Sequence, residues 1–191
     1  MKKLVLYLFI FSFGLTSFAQ EEEGQMSRKE LKQIAKEEKK AKRAAEDEQL
    51  KEVTDLMLHM HRFVLEADYV GDGKGQRIPV SSNINFIGID STEAVIQLGT
   101  VHGSGYNGVG GITVDGRVTK YDLQIIEGKR GKSYSLMVNI MTNVGIYDIT
   151  FLISELGYTD ATIKSLRAGQ LQYSGKLVPI GLSRVYKGSS I

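Results

Sequence analysis

Two short stretches hold the residues whose types and spacing could do chemistry. Met57-Leu58-His59-Met60-His61 brings thioether and imidazole groups together, a ligand set that would suit copper in an oxidising compartment. On a helix, residues two apart point in different directions, so His59 and His61 would not ligate together. Met57 shares a face with Met60 and with His61, which core packing would also require. A cationic histidine near a helix C-terminus is favourable, so the stretch reads as a helix end with polar tips and no metal is assigned.

The second stretch is Leu98 to Gly116, the densest in glycine. It holds His102, with Ser104, Tyr106, Asp115 and the more distant Asp148 as candidate partners by residue type alone. Gly-x-Ser-x-Gly is not met, because His102 stands where its first glycine belongs. Gly103 to Gly108 does spell G-x-G-x-x-G, and a strand precedes it. Phosphate binding there needs a helix N-terminus next, whereas Gly110 to Gly116 offers glycines and β-branched residues. The expectation is a glycine-rich crossing between strands, with no catalytic residue, cofactor or enzymatic activity assigned. Tyr106 and Asn107, with His102, are read as a contact surface, since aromatics on glycine-hinged loops give large contact area at low entropic cost. Tyr106 folded over an open end of the sheet is the competing reading.

A chain of 191 residues suits one domain with appendages. There is no cysteine, which removes a disulfide framework, a thiolate metal site and a lipid-modified cysteine. Met1 to Ala19 reads as a secretory signal peptide: Lys2-Lys3, an apolar run from Leu4 to Phe13, and Ser17-Phe18-Ala19 before cleavage. The run is short for a transmembrane anchor. Loss of the two lysines takes the formal charge from +2 to zero, so electrostatics give no case for nucleic acid.

Residues 20–26 form an acidic spacer, and 27–61 a charged helix opened by the capping box Ser27-Arg28-Lys29-Glu30. Its apolar stripe starts at Leu31 and Ile34, thins to alanines and strengthens from Leu50 to Met60, so its end should dock on an apolar surface. The a/d seam is not sustained, which argues against a long coiled coil; the helix still offers a route to oligomers.

From residue 62 to 191 the period is two. Phe63, Leu65, Ala67 and Tyr69 alternate; Val80, Ser82, Ile84 and Phe86 line a second strand ending near Asp90. Thr92–Gly99 is a third, and Asp115-Gly116 reads as a hairpin turn before Arg117–Ile126. Tyr134, Leu136, Val138 and Ile140, then Tyr147, Ile149, Phe151 and Ile153, face inward on two strong strands; 158–166 and 169–175 follow, then a tail. The fold class is mainly β, an antiparallel sandwich or barrel-like sheet of about eight to nine strands after one long charged helix.

Phe63-Val64-Leu65-Glu66-Ala67, Gly110-Gly111-Ile112-Thr113, Tyr121, Gly145-Ile146-Tyr147-Asp148-Ile149 and Leu171-Gln172-Tyr173-Ser174-Gly175 occur in an order that resembles a known pattern. It is that of small exported bacterial proteins, mainly from Bacteroidetes, catalogued as domain of unknown function family 4251. The resemblance covers 63–188. Two departures are Ile96-Gln97-Leu98-Gly99-Thr100, where such proteins often carry an aromatic, proline-containing segment, and the long charged helix. The resemblance implies export and a β-rich domain, and transfers no catalytic residue.

The functional expectation is a binding or interaction module of the cell envelope, periplasmic or else secreted, with crossing 99–111 as its contact region. Its partner would be an envelope protein or a small ligand. A barrel carrying an apolar ligand and a hydrolase using His102 are the alternatives.

Overall fold

No glycine or proline interrupts the chain between Ser27 and His61, and helix α1 spans Arg28–His59. Ser27 and Glu30 close its first turn: the Ser27 N–H donates to Glu30 Oε2 at 2.7 Å, and Ser27 Oγ accepts from the Lys29 N–H at 3.3 Å. At the other end His61 takes φ 55°, which turns the chain out of the helix and into the first strand. The computed structural model describes residues 27–100, 105–129, 131–165 and 169–191, so the signal-peptide and spacer readings lie outside the described residues. The chain divides into two units, Met1–Ala41 and Lys42–Ile191. In the first, the described part is the opening half of α1, exposed throughout.

The second unit is a closed antiparallel barrel. Its strands are β1 (Arg62–Gly71), β2 (Arg77–Pro79), β3 (Phe86–Asp90), β4 (Glu93–Leu98), β5 (Ile112–Gly128), β6 (Gly131–Thr142), β7 (Gly145–Ser154), β8 (Tyr158–Ser165) and β9 (Gln170–Val178). From β3 onward each strand pairs with the next, and β1 holds β3 on one edge and β9 on the other, which closes the ring. The short β2 lies outside the eight-stranded ring, paired to β1 at Tyr69–Gly71. Closing the sheet removes the open edges that would otherwise invite aggregation.

Alternation puts Phe63, Leu65, Ala67, Ile87, Ile89, Leu136, Val138, Ile149, Phe151, Ala161 and Tyr173 inside, each 0 or 1% exposed. Surfaces so completely covered border no space large enough for water, so the interior is filled by side chains. Phe63 meets Phe151 edge to face, with ring centroids 5.7 Å apart. Gly175 on β9 lies where the ring closes: a Cβ there would collide with the Glu66 carbonyl oxygen of β1.

One mouth of the barrel is stopped by the end of α1. Thr54, Met57 and Leu58 are buried there, and full burial of a side chain such as Leu58 contributes roughly 1.5–3 kcal/mol. Two tyrosines reach up from the barrel: Tyr121 Oη donates to the Leu58 carbonyl at 2.6 Å, and Tyr134 Oη to Asp55 Oδ1 at 3.0 Å. Lys51 pairs with Glu155 at 3.3 Å. The apolar strengthening at the helix end has its docking surface.

Three local expectations are corrected. The strand expected over residues 80–90 is strand only from Phe86 to Asp90, as β3; residues 80–85 form a turn after β2, which ends at Pro79. Asn85 holds that turn, its Nδ2 donating to the Ser81 carbonyl at 3.0 Å and its Oδ1 accepting from the Gly99 N–H at 2.9 Å. Phe86 therefore faces outward, and Ile87 and Ile89 inward. Asp115-Gly116 is mid-strand in β5, not a hairpin; a Cβ at Gly116 would run into Ile140 and Thr142 of β6, so the glycine serves strand packing. Tyr69 is exposed because a bulge between Ala67 and Tyr69 shifts the alternation, leaving Val70 as the buried residue.

Candidate functional site

Between β4 and β5 the glycine crossing runs from Gly99 to Gly111, and of its residues His102 lies outside the described set with 101–104. The described part folds as turns: the Thr100 N–H donates to the Val109 carbonyl at 3.0 Å, and Gly108 N–H to the Gly105 carbonyl at 3.2 Å. Gly108 and Gly110 take φ of 74° and 78°, a region closed to most side chains. Strand β5 begins at Ile112 directly after the turns of 105–111, so among the described residues of the crossing no helix N-terminus is presented to a phosphate.

Tyr106 and Asn107 are adjacent and oppositely placed. Tyr106 is 89% exposed, the most exposed of the large apolar side chains described, so it does not fold over the sheet. Asn107 is 1% exposed. Its Oδ1 accepts from the Val109 and Gly111 N–H groups at 3.1 and 2.9 Å; its Nδ2 donates to Thr113 Oγ1 at 3.1 Å and to the Leu98 carbonyl at 3.4 Å. The carboxamide substitutes for a strand ladder in satisfying the loop's backbone. Asn107 fixes the loop, and Tyr106 is what the loop presents.

Beneath the loop lies a polar layer with no signature in the residue pattern. Gln97 faces out of the barrel yet is fully buried, its carboxamide making four hydrogen bonds. Oε1 accepts from Thr113 Oγ1 and the Gly188 N–H, both at 2.8 Å; Nε2 donates to the carbonyls of Tyr186 and Ile84 at 2.8 and 3.1 Å. From inside the barrel, Tyr173 Oη donates to the Gln97 carbonyl at 2.9 Å, and burial pushes its hydroxyl pKa upward.

Gln97 draws the C-terminal tail over this side of the barrel. The Ser189 N–H donates to the Asn107 carbonyl at 3.0 Å and the Ile191 N–H to the Thr113 carbonyl at 3.1 Å. Ser183 Oγ and the Arg184 N–H donate to Glu66 Oε1, at 2.7 and 3.2 Å. Asp115 binds Lys187 Nζ and Ser190 Oγ, both at 2.7 Å; burial raises its carboxyl pKa, the Lys187 and Ser190 bonds lower it more, and it ends below its ordinary value. Tyr186 and Ile191 on the tail, and Ile112 beside it, are exposed like Tyr106. The anchored tail and the loop thus form one surface.

The other sequence candidates are dispersed. Asp115 is committed to the tail, and Asp148 on β7 to Asn139. His59 Nδ1 lies 2.9 Å from the Asp55 carbonyl, while the His61 ring stacks on Tyr121 at 3.6 Å between centroids. Among the described residues no group of three or more His, Asp or Glu is placed to hold a metal ion.

Two of the concavities among the described residues have no signal in the sequence. An open groove of about 680 Å³ on the outer wall is lined by Asp68, Tyr69, Arg77, Leu152, Tyr158 and Asp160. Arg77 sits over the Tyr69 ring at 4.9 Å and Lys176 over the Tyr158 ring at 5.6 Å. The second, about 460 Å³, lies between the end of α1 and the β5–β6 turn, where Glu48, Glu52, Asp55, Glu127 and Glu155 outnumber Lys51 and Lys132. There the Tyr134 hydroxyl is pushed up to about 12 by burial and by its bond to Asp55.

Among the described residues no helix is long and apolar enough to cross a membrane. No curated protein matches the chain. Its fold is similar to the crystal structure of a DUF4251 family protein from Bacteroides eggerthii, 29% identical, with TM-score 0.56 over 70% of this chain and 90% of that one. The family model for the domain of unknown function DUF4251 matches residues 45–177, a span that includes the barrel-docked end of α1 as well as the strands. The chain belongs to the DUF4251 family.

Proposed function

We propose that this protein is an exported binding module of the cell envelope that engages an envelope protein through the Tyr106 loop and the tail anchored beside it. The observation that carries this reading is the pairing of an 89% exposed aromatic with a 1% exposed, four-bonded neighbour. A side chain held out on a fixed backbone loses little entropy on binding. The filled interior leaves no room for an apolar cargo, so the reading places the contact on the outer surface. Of the candidate partners of His102, Asp115 and Asp148 are committed elsewhere, so neither carboxylate supports the hydrolase alternative.

The test is a photo-crosslinking residue at position 106, expressed in the native host, with the same residue at the exposed Tyr158 as control. A discrete adduct at 106, absent at 158 and competed by the unmodified protein, supports the reading. No adduct at 106, or the same adducts from both positions, overturns it. Export is tested separately: N-terminal sequencing of the mature protein should read from Gln20.

A further inference from the structure

Strand β5 outruns its neighbour on one side. Its pairing with β6 runs from Gly116 to Gly128, while its pairing with β4 stops at Arg117. The last backbone bond on the β4 side joins the Val118 N–H to the Thr92 carbonyl at 2.9 Å. Past the bulge that follows Val118, no described strand flanks β5 on that side. The Ile126 carbonyl faces β6, where it accepts from Ser133 Oγ, its partner across the ladder, at 3.4 Å. Alternation then turns the N–H and C=O groups of Tyr121, Leu123, Ile125 and Glu127 toward the bare edge. That edge is roughly 23 Å long.

Nothing that usually blunts an edge is present between Tyr121 and Ile126: no proline, no lysine and no bulge. Tyr121, Leu123 and Ile125 stand opposite the buried Val138, Leu136 and Tyr134 of β6, so they form one row on the inner face. Glu127 continues the row and lines the cavity of about 460 Å³ between the end of α1 and the β5–β6 turn. Lys51 in that cavity is held by Glu48 and Glu155, at 3.6 and 3.3 Å; Glu52 and Glu127 make no ion pair among the described residues. The row is thus apolar along its length and acidic at its end.

We propose that this edge takes up one extended strand of a partner protein, antiparallel to β5, with apolar side chains at alternate positions and a lysine or arginine at its N-terminal end. A row of unpaired main-chain donors and acceptors fits the backbone of a strand, and the antiparallel pairing is the more stable per residue. In that direction the N-terminal end of the added strand meets Glu127, so its cation enters the acidic end of the row. Its alternate apolar side chains then lie beside Tyr121, Leu123 and Ile125. Main-chain bonds supply the affinity, and the row supplies the selection. The edge shares no residue with the Tyr106 loop or the tail, so either site can fail its test without the other.

The probe is the peptide acetyl-Lys-Thr-Val-Thr-Val-Thr-Val-amide, and the readout is amide-resolved hydrogen exchange on the whole chain. In the free protein the Asp122, Gln124 and Ile126 amides should be protected by β6, and those of Leu123, Ile125 and Glu127 open. The peptide should protect the second set saturably. Replacing its lysine with glutamate should weaken binding about 10-fold. Ile125→Pro removes an edge-facing donor and leaves the bonds to β6 in place, since proline is tolerated where the N–H faces outward. It should abolish the protection at Leu123 and Glu127, with the near-ultraviolet dichroism of the barrel tyrosines unchanged. Glu127→Lys, which leaves the backbone as it is, should reverse the preference between the two peptides. Protection of Leu123, Ile125 and Glu127 in the free chain, no added protection at millimolar peptide, equal binding of the two peptides, or an unchanged preference in Glu127→Lys would each overturn the proposal.

Discussion

Removing the carboxamide of Asn107 would strip four hydrogen bonds from the glycine crossing and leave the Val109 and Gly111 N–H groups without their acceptor. Leaving buried donors unsatisfied costs about 1–3 kcal/mol each, so Asn107→Ala should lower the denaturation free energy by about 2 kcal/mol or more. Tyr106→Ala, at an exposed site, should change it by less than about 0.5 kcal/mol, and the variant should no longer compete for the adduct formed at position 106. Urea unfolding of the two variants side by side checks both. A second residue-level prediction concerns Asp115. Its folded pKa is depressed, so its contribution is present above the ordinary value of 3.8 and is lost as pH falls through the folded value. The protection factors of the Ile191 and Ser189 amides should therefore fall below about pH 4, and Asp115→Asn should lower them at neutral pH.

At the scale of elements, alternation in β6 and β7 could be read from the sequence because both faces follow a strict period of two. Tyr134, Leu136, Val138 and Ile140 are buried as that pattern requires. What could not be read were the places where tertiary contact decides the backbone. The bulge after Ala67 is one, since nothing local says where β9 will demand a phase shift from β1. Asp115-Gly116 is another: the pair has the composition of a turn, yet Gly116 is chosen for the methyl groups of Ile140 and Thr142 across the ladder. Gly116→Ala should accordingly destabilise by about 1–3 kcal/mol through overpacking, measured by thermal unfolding. Within the crossing, Tyr106 could be singled out by type, but the burial of Asn107 could not, because it depends on Thr113 and on a tail some eighty residues away. Truncation after Leu182 should expose that dependence. Gln97 would lose two of its four side-chain partners, and the melting temperature should fall.

For the molecule as a whole, a mainly β architecture followed from composition and period, but closure did not, because a sandwich and a barrel present the same alternation to a reader of residues. The closing contact pairs the first strand of the ring with the last, and its register rests on Gly175 accommodating the Glu66 carbonyl. A filled ring makes a further prediction: fluorescent fatty acids and other apolar probes should show no saturable uptake, and a stoichiometric binding isotherm would contradict the packed interior.

The β1–β9 seam also sets the order in which the molecule can be made. While the chain is synthesised, β1 has one neighbour available early in β3, but its other edge stays bare until Gln170–Val178 emerges, about a hundred residues later. Until then the growing polypeptide is an open, edge-exposed sheet whose two ends cannot yet meet. Released fragments ending before Gln170 should be digested by protease, and those extended past Val178 should resist it, so that resistance appears with completion of the ring.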